Sequence, residues 1–312
     1  MPDKPNILVV GSINMDLAIH SPRLPEPGET LRGSGFLSTP GGKGANQAVA
    51  VARMGGDCHL IGCVGDDDFG HNFISHLSDE GIDVRSVDIS DRRRTGVAMI
   101  VVDSLGENTI VLDSGANLQV NADDHIFPNV DLFEAADVVV LQLELPLLVV
   151  RAAIDFARRH GCKVILDPAP VPRFLPSEMY RVDVLSPNIV EARQLTDQTT
   201  AEDRVDKIVA LELIARGARA VAVKLGHRGT LVVSDEGIFE RIGPYQVEVV
   251  DTTAAGDAYT GALAVALGQG KDIATAGTIA CAAGALACRQ IGAQSAIPDA
   301  DDVRALMRDQ PK

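Results

Sequence analysis

A chain of 312 residues, 46% hydrophobic and 23% charged, is long and apolar enough to bury a large core, which excludes an intrinsically disordered protein. Its formal net charge of −15, with no basic run longer than Arg92, Arg93 and Arg94, opposes a phosphate backbone, so no nucleic-acid partner is expected. No apolar stretch approaches the roughly 20 residues of a membrane span, and five cysteines without a CxxC pair suit a reducing compartment rather than disulfides or structural zinc.

The first apolar run starts at Ile7 and ends at Gly11, without the basic flank or cleavage site of a signal peptide, and a cytoplasmic protein is expected. Asn6 to Gly11 reads as a buried strand. Further strands are expected at Cys58 to Val64, Asp137 to Leu143, Lys163 to Asp167, Asp183 to Ser186 and Ala220 to Leu225, each apolar on mostly consecutive positions and bounded by turn residues. Helical spacing separates them at Ala45 to Met54, Asp68 to Asp79, Leu147 to His160, Asp203 to Arg216, Ala258 to Leu267 and Ile273 to Cys288. The alternation predicts an α/β fold, a doubly wound and mainly parallel sheet flanked by helices, as one domain over residues 1–312. Two segments, about 15–40 and 96–114, break the rhythm. The first is rich in Pro and Gly, and the second is two strand-like halves around Ser104 to Glu107, so together they predict a small antiparallel β lid. A lid at the carboxyl ends of the parallel strands would stand over the ligand crevice of such a fold.

Several common enzyme signatures are missing. There is no GxxxxGK[ST] phosphate loop, the first strand does not run into GxGxxG, and neither a GxSxG elbow nor an HExxH pair occurs. A different phosphate device is present instead. Asp251 to Asp257 precedes an apolar helix, and Ala254, Ala255 and Gly256 put small residues where helix N-terminal amides can face an anion. Asp257 at that helix start can accept a proton from a hydroxyl while the amides hold a phosphoryl group, although an Asp there also fits a simple cap. Gly41, Gly42, Lys43, Gly44, Ala45 and Asn46 open a second helix, and Asn14 and Asp16 follow the first strand on alternate positions that point the same way. These are suitable partners for sugar hydroxyls, and taken singly each fits a capping or turn role equally well.

The segments GSINMD, PGGKGANQAVA, QLE (Gln142 to Glu144), PNxxE (Pro187 to Glu191), KLGHRG (Lys224 to Gly229), DTTAAGDAYTGAL and IGAQSAIP occur in one order across nearly the whole chain. In this set the chain resembles the ribokinase-like carbohydrate kinase family. The resemblance implies transfer of a phosphoryl group from ATP to the primary hydroxyl of a small sugar. Asn14, Asp16, Gly42, Lys43, Asn46 and Glu144 would hold the sugar. Asp257 would take the proton, and Ala254, Ala255 and Gly256 would receive the phosphoryl charge.

By the same resemblance, Asn188 and Glu191 would organise magnesium through water. Lys224, Gly226, Gly229, Gly256 and Cys281 would line the nucleotide site together with Asn188. Potassium would be held by Asp251, Thr253, Ala287, Gln290, Gly292 and Ala296. Three positions depart from the family pattern. Ala296 stands where Ser is common, Cys281 where Asn or His is common, and Lys224 where a neutral Thr is expected.

Ribose or 2-deoxyribose is favoured over a nucleoside, because the chain has no Trp, three Tyr and eight Phe with which to stack a base. A sugar-sensing protein without catalysis would be expected to lack Asp257 or the Ala254 to Gly256 cradle, and both are intact. The apolar lid strands (Val97, Met99, Val101, Ile110, Leu112) further suggest a homodimer through the lid.

Overall fold

The computed structural model describes residues 4–198 and 203–311. The chain runs β1 (Asn6–Val10), β2 (Asn14–His20), β3 (Ser34–Gly41), α1 (Lys43–Arg53), β4 (Asp57–Gly65), α2 (Asp68–Asp79), β5 (Asp83–Ser90), β6 (Gly96–Val102) and β7 (Asn108–Asp113). After short helical turns come α3 (Val130–Ala135), β8 (Val138–Leu141), α4 (Leu147–Arg159), β9 (Lys163–Leu166), β10 (Val184–Leu185), α5 (Ile189–Leu195) and α6 (Asp203–Arg216). The described chain ends with β11 (Ala220–Lys224), β12 (Thr230–Ser234), β13 (Phe239–Ile242), α7 (Ala255–Gly268), α8 (Ile273–Ala287) and α9 (Ala300–Asp309).

Nine strands form one sheet in the order β13-β12-β11-β10-β9-β8-β1-β4-β5. Its ladders are parallel except β11 with β12 and β12 with β13, so the mainly parallel, helix-flanked sheet expected from the alternation is what forms. The continuous apolar runs follow from burial on both faces. In β1, Ile7 and Val9 enter one core with α1, α7 and α8, while Leu8 and Val10 enter the other with α4 and α6. Helix α7 has no polar face, and every residue from Asp257 to Leu267 is buried. A Cβ on its Gly261 would fall 2.4 Å from the Ala50 Cβ, so α1 and α7 approach nearly backbone to backbone. That contact sets their two N-termini side by side.

Four strands form a second, smaller sheet in the order β3-β2-β6-β7, from residues 14–41 and 96–113. Two of its ladders are antiparallel, as expected, but the central one, β2 with β6, is parallel. Strand alternation specifies a face and not a neighbour's direction, which is why the sequence alone misses this. The register also splits the apolar lid residues. Asp16 lies opposite Ala98, Ala18 opposite Ile100 and Leu37, and Ile110 and Leu112 opposite Ile100 and Ala98, so these share one face. Val97, Met99 and Val101 lie on the other. Leu37, Ile110 and Leu112 remain 45%, 55% and 40% exposed. Among the described residues, no helix is long and apolar enough to cross a membrane.

Candidate active site

The carboxyl ends of β1, β8, β9, β10 and β11 meet the N-termini of α1 and α7 around a cleft of about 660 Å³, bounded by Lys43, Asn188, Glu191, Lys224, Ala254 and Asp257. This is where a doubly wound sheet binds its ligands. A larger groove of about 1030 Å³ lies elsewhere, walled by Arg53, Glu80 and the exposed acidic residues of α9, and does not reach the strand ends.

Asp257, in the first turn of α7, is buried, and both of its oxygens are held by amides from α1. Asn46 Nδ2 donates to Oδ2 and Gln47 Nε2 to Oδ1, each at 3.0 Å. Burial pushes the Asp257 carboxyl above its usual range; Lys43 opposes that, Asp167 adds to it, and the two amides again oppose it. A carboxylate so placed is oriented, poorly hydrated and prone to take a proton. Lys43 keeps its charge: burial disfavours the ammonium, but Asp257, Asp167, Glu144 and Glu191 outweigh it and raise its pKa.

The expected sugar-side residues converge beside this carboxylate. Glu144 Oε2 accepts from Ser12 Oγ (2.5 Å), Asn14 Nδ2 (3.3 Å) and the Lys43 N–H (3.2 Å), which joins the ends of β1 and β8 to the start of α1. Asn14 Oδ1 in turn accepts from Asn117 Nδ2 at 2.8 Å. Gly42 has φ 86°, and a Cβ there would fall 2.6 Å from the Asn14 N, so only glycine allows this turn. Asp16 is pushed up to about 7, first by burial and then by the charges of Glu144 and Asp257, with Lys43 opposing.

The N-terminus of α7 opens on the cleft with N–H groups that are unpaired among the described residues. Its N-cap, Ala254, adopts the left-handed conformation (φ 56°, ψ 7°), unusual without a glycine, and supplies no side-chain cap. The first helical bond runs from the Ala258 N–H to the Ala254 carbonyl. The N–H groups of Gly256 and Asp257 have no acceptor among the described residues, so they and the positive helix end face the cleft.

On the far wall, Asn188 and Glu191 form a reciprocal capping box on α5, the Asn188 Oδ1 accepting the Glu191 N–H (2.8 Å) and the Glu191 Oε2 accepting the Asn188 N–H (2.7 Å). The two residues therefore cap α5, and both also border the cleft. Burial pushes the Glu191 carboxyl up, Lys224 pulls it down and Asp167 pushes it up again. Gly226 and Gly229 line the cleft as well, but a Cβ on Gly229 would meet the Ile242 carbonyl at 2.0 Å. Its smallness is thus also required by the close approach to residues 242–244, beside its place in the cleft wall. Cys281 on α8 lies at the same cleft.

Of the six expected potassium residues, three are tied together. Asp251 Oδ1 accepts from the Thr253 N–H (2.9 Å) and hydroxyl (2.7 Å), and Oδ2 from the Gly292 N–H (2.9 Å). Partial burial disfavours the Asp251 charge, but these bonds outweigh it and hold its pKa below the usual range. The Val250 N–H bonds the Cys288 carbonyl, bringing the end of α8 to this turn just after Ala287. Gln290 is exposed, and Ala296 is buried in a short helical turn where it offers only a backbone carbonyl.

Sequence reasoning missed four residues of the site: Ser12, Gln47, Asn117 and Asp167. Asp167, at the end of β9, is buried; its Oδ2 accepts from Gln47 Nε2 at 3.0 Å, and its Oδ1 from Lys224 Nζ at 3.1 Å. Gln47 lies within a recognised motif, but nothing local marks Asp167 beyond a polar residue closing a buried strand. Away from the cleft, Cys63, Asp88 and His125 sit close together. The His125 Nδ1 accepts from the Asn121 N–H, which leaves the ring proton on Nε2 facing Asp88 at 3.6 Å, the wrong tautomer for a metal ligand there.

Comparison with known proteins shows which family shares this sequence and fold. A ribokinase of Schizosaccharomyces pombe is 36% identical over 302 residues, covering 94% of this chain and 95% of its own. A deoxyribokinase of Salmonella typhi is 35% identical over 297 residues, covering 94% of this chain and 95% of its own. The structure of Arabidopsis thaliana ribokinase complexed with ribose and ATP superposes with a TM-score of 0.91 at 30% identity, over 98% of this chain and 99% of that one. The pfkB family carbohydrate kinase pattern matches residues 4–300, and the chain belongs to that family of sugar kinases.

Proposed function

We propose that this enzyme phosphorylates D-ribose at its primary 5-hydroxyl with ATP, giving ribose 5-phosphate and ADP. The observation that carries the reading is the placement of a buried, amide-oriented carboxylate, Asp257, in the first turn of the helix whose free N–H groups form an anion cradle. In this reading the sugar lies against Asn14, Asp16, Gly42, Lys43, Asn46 and Glu144. Asp257 takes the hydroxyl proton as the oxygen forms its bond to the γ-phosphorus. The bond from that phosphorus to the bridging oxygen breaks, and ADP leaves with its electron pair. The amides of Gly256 and Asp257 would meet the charge of the moving phosphoryl group, with Ala254 and Ala255, whose N–H bonds the Thr252 carbonyl, shaping the turn.

The nucleotide would lie along Asn188, Lys224, Gly226, Gly229 and Cys281. Glu191, with one oxygen bonded to the Asn188 N–H, suits a hard cation held through water, and bound magnesium would neutralise phosphate charge there. The turn at Asp251, Thr253 and Gly292, with carbonyls of Ala287, Gln290 and Ala296, is assigned to potassium, which when bound would stiffen the approach to α7. The chain is read as one catalytic domain in which residues 14–41 and 96–113 form the lid. The exposed apolar face of Ala18, Leu37, Ile100, Ile110 and Leu112 next to Asp16 supports a homodimer closed through that lid, and the five free cysteines suit the cytoplasm.

The similarity to a deoxyribokinase supports one second reading, 2-deoxyribose as acceptor. A coupled ADP-release assay over pentoses, hexoses and nucleosides tests both. Ribose giving the highest kcat/KM is expected; preference for 2-deoxyribose selects the second reading, and a response to nucleosides alone would overturn both.

A further inference from the structure

We propose that Lys224 is a phosphate-binding residue of the nucleotide site, parked on Asp167 in the free enzyme and passed to the phosphate chain when nucleotide enters. This rests on the nucleotide reading above and goes beyond it in assigning the two residues a shared task. The Lys224 and Asp167 side chains are only 13% and 2% exposed and meet at 3.1 Å. Burying such a pair costs solvation that its attraction repays only in part, so a buried pair is weak evidence of a purely stabilising role. Asp167 would keep partners on one oxygen without Lys224, since Gln47 Nε2 (3.0 Å) and, at 3.5 Å, the Thr260 hydroxyl serve Oδ2.

What lies on the ammonium's other side is decisive. A Cβ on Gly256 would stand 3.5 Å from Lys224 Nζ, so the ammonium sits over the first turn of α7. The free N–H groups of Gly256 and Asp257 and the positive helix end are there too. Ammonium and helix terminus, both positive, therefore border the same part of the cleft, where an anion with several charges would be attracted by both. A phosphate chain is the ligand chemistry that fits. The Asp167 carboxylate preorganises the lysine for it, and through the shared Gln47 amide it links the phosphate side of the cleft to Asp257. Asp167 is thus a positioning residue.

The test is calorimetric binding of ATP, ADP and adenosine to the wild-type protein, Lys224→Gln, Asp167→Asn and the double variant, with circular dichroism verifying the fold. The double variant removes the lone buried carboxylate that Lys224→Gln would leave behind. Lys224→Gln is expected to weaken ATP and ADP by about tenfold or more in both backgrounds while adenosine changes less than about twofold. Equal ATP affinity in Asp167→Asn and the double variant, or equal losses for ATP and adenosine, would overturn the proposal. Failure of the wild-type protein to bind ATP at all would instead overturn the nucleotide reading, and this inference with it.

Discussion

Asn46 and Asp257 are 211 positions apart in sequence and meet at 3.0 Å, Nδ2 to Oδ2. The contact exists because the close packing of Gly261 on Ala50 sets the N-termini of α1 and α7 side by side. Asn46 comes from the helix that opens with the sugar-side glycines, so the carboxylate assigned as base is oriented by the element that would also hold its substrate.

Asp257→Asn should keep the fold and the sugar site and lose turnover, since the amide preserves shape but cannot take the proton. Loss of a general base costs about 10² to 10⁴ in rate. ADP release with ribose, alongside calorimetric ribose affinity, checks this; a kcat near wild type would remove Asp257 from that role.

Asp16 gives a pH signature. Its pKa is raised from 3.8 to about 7, so between those values the folded protein binds a proton that the unfolded chain has released. Stability from this group therefore falls as pH rises through that window and stays lost above about 7. Asp16→Asn should stabilise the protein more at pH 8 than at pH 4, by on the order of 1–3 kcal/mol after allowance for partial exposure. Ribose kcat/KM should rise with pH through about 7 in the wild type, as the carboxylate becomes available to a hydroxyl, and the variant should lose that contribution and keep only the limb due to the raised Asp257 carboxyl. A stability difference independent of pH in thermal melts would contradict the assignment.

Potassium should raise kcat with little change in sugar affinity, because the turn it would stiffen leads directly to the amides of α7. Removing one such preorganised donor can cost about 10² to 10³ in kcat. The measurement is a potassium titration at constant ionic strength in choline, with Asp251→Ala alongside. Asp251 already accepts three hydrogen bonds from Thr253 and Gly292. Equal rates with and without potassium would mean those bonds suffice.

The lid face offers a test of assembly. Ile110 and Leu112 are about half exposed on β7, an edge strand that is exposed along its whole length. Substituting both with Asp should convert a dimer into a monomer by light scattering at micromolar concentration and raise the ribose KM, because Asp16 shares their face. A wild-type protein that is monomeric and fully active would defeat the idea.

The amino-acid sequence by itself pointed to the sugar-kinase class and to many of the residues that border the cleft. The strand and helix periods are local properties, and the glycine motifs mark helix starts where backbone must pass close to other groups. Lys43, Asn46 and Asp257 were legible for that reason, as was the mainly parallel sheet, whereas Glu144 was marked only by the resemblance. What only the tertiary structure decided are relationships between distant segments: the parallel pairing of β2 with β6, the split of the lid's apolar residues onto two faces, and the approach of the capped start of α5 to the cleft. Asp167 is the clearest case. Its neighbours in sequence say only that a strand has ended, and its contacts exist because strand order places β9 next to β10 and one strand away from β11, where Gln47 and Lys224 reach it. Charges and amides act through space, so a pairing across 57 or 120 positions leaves no local trace.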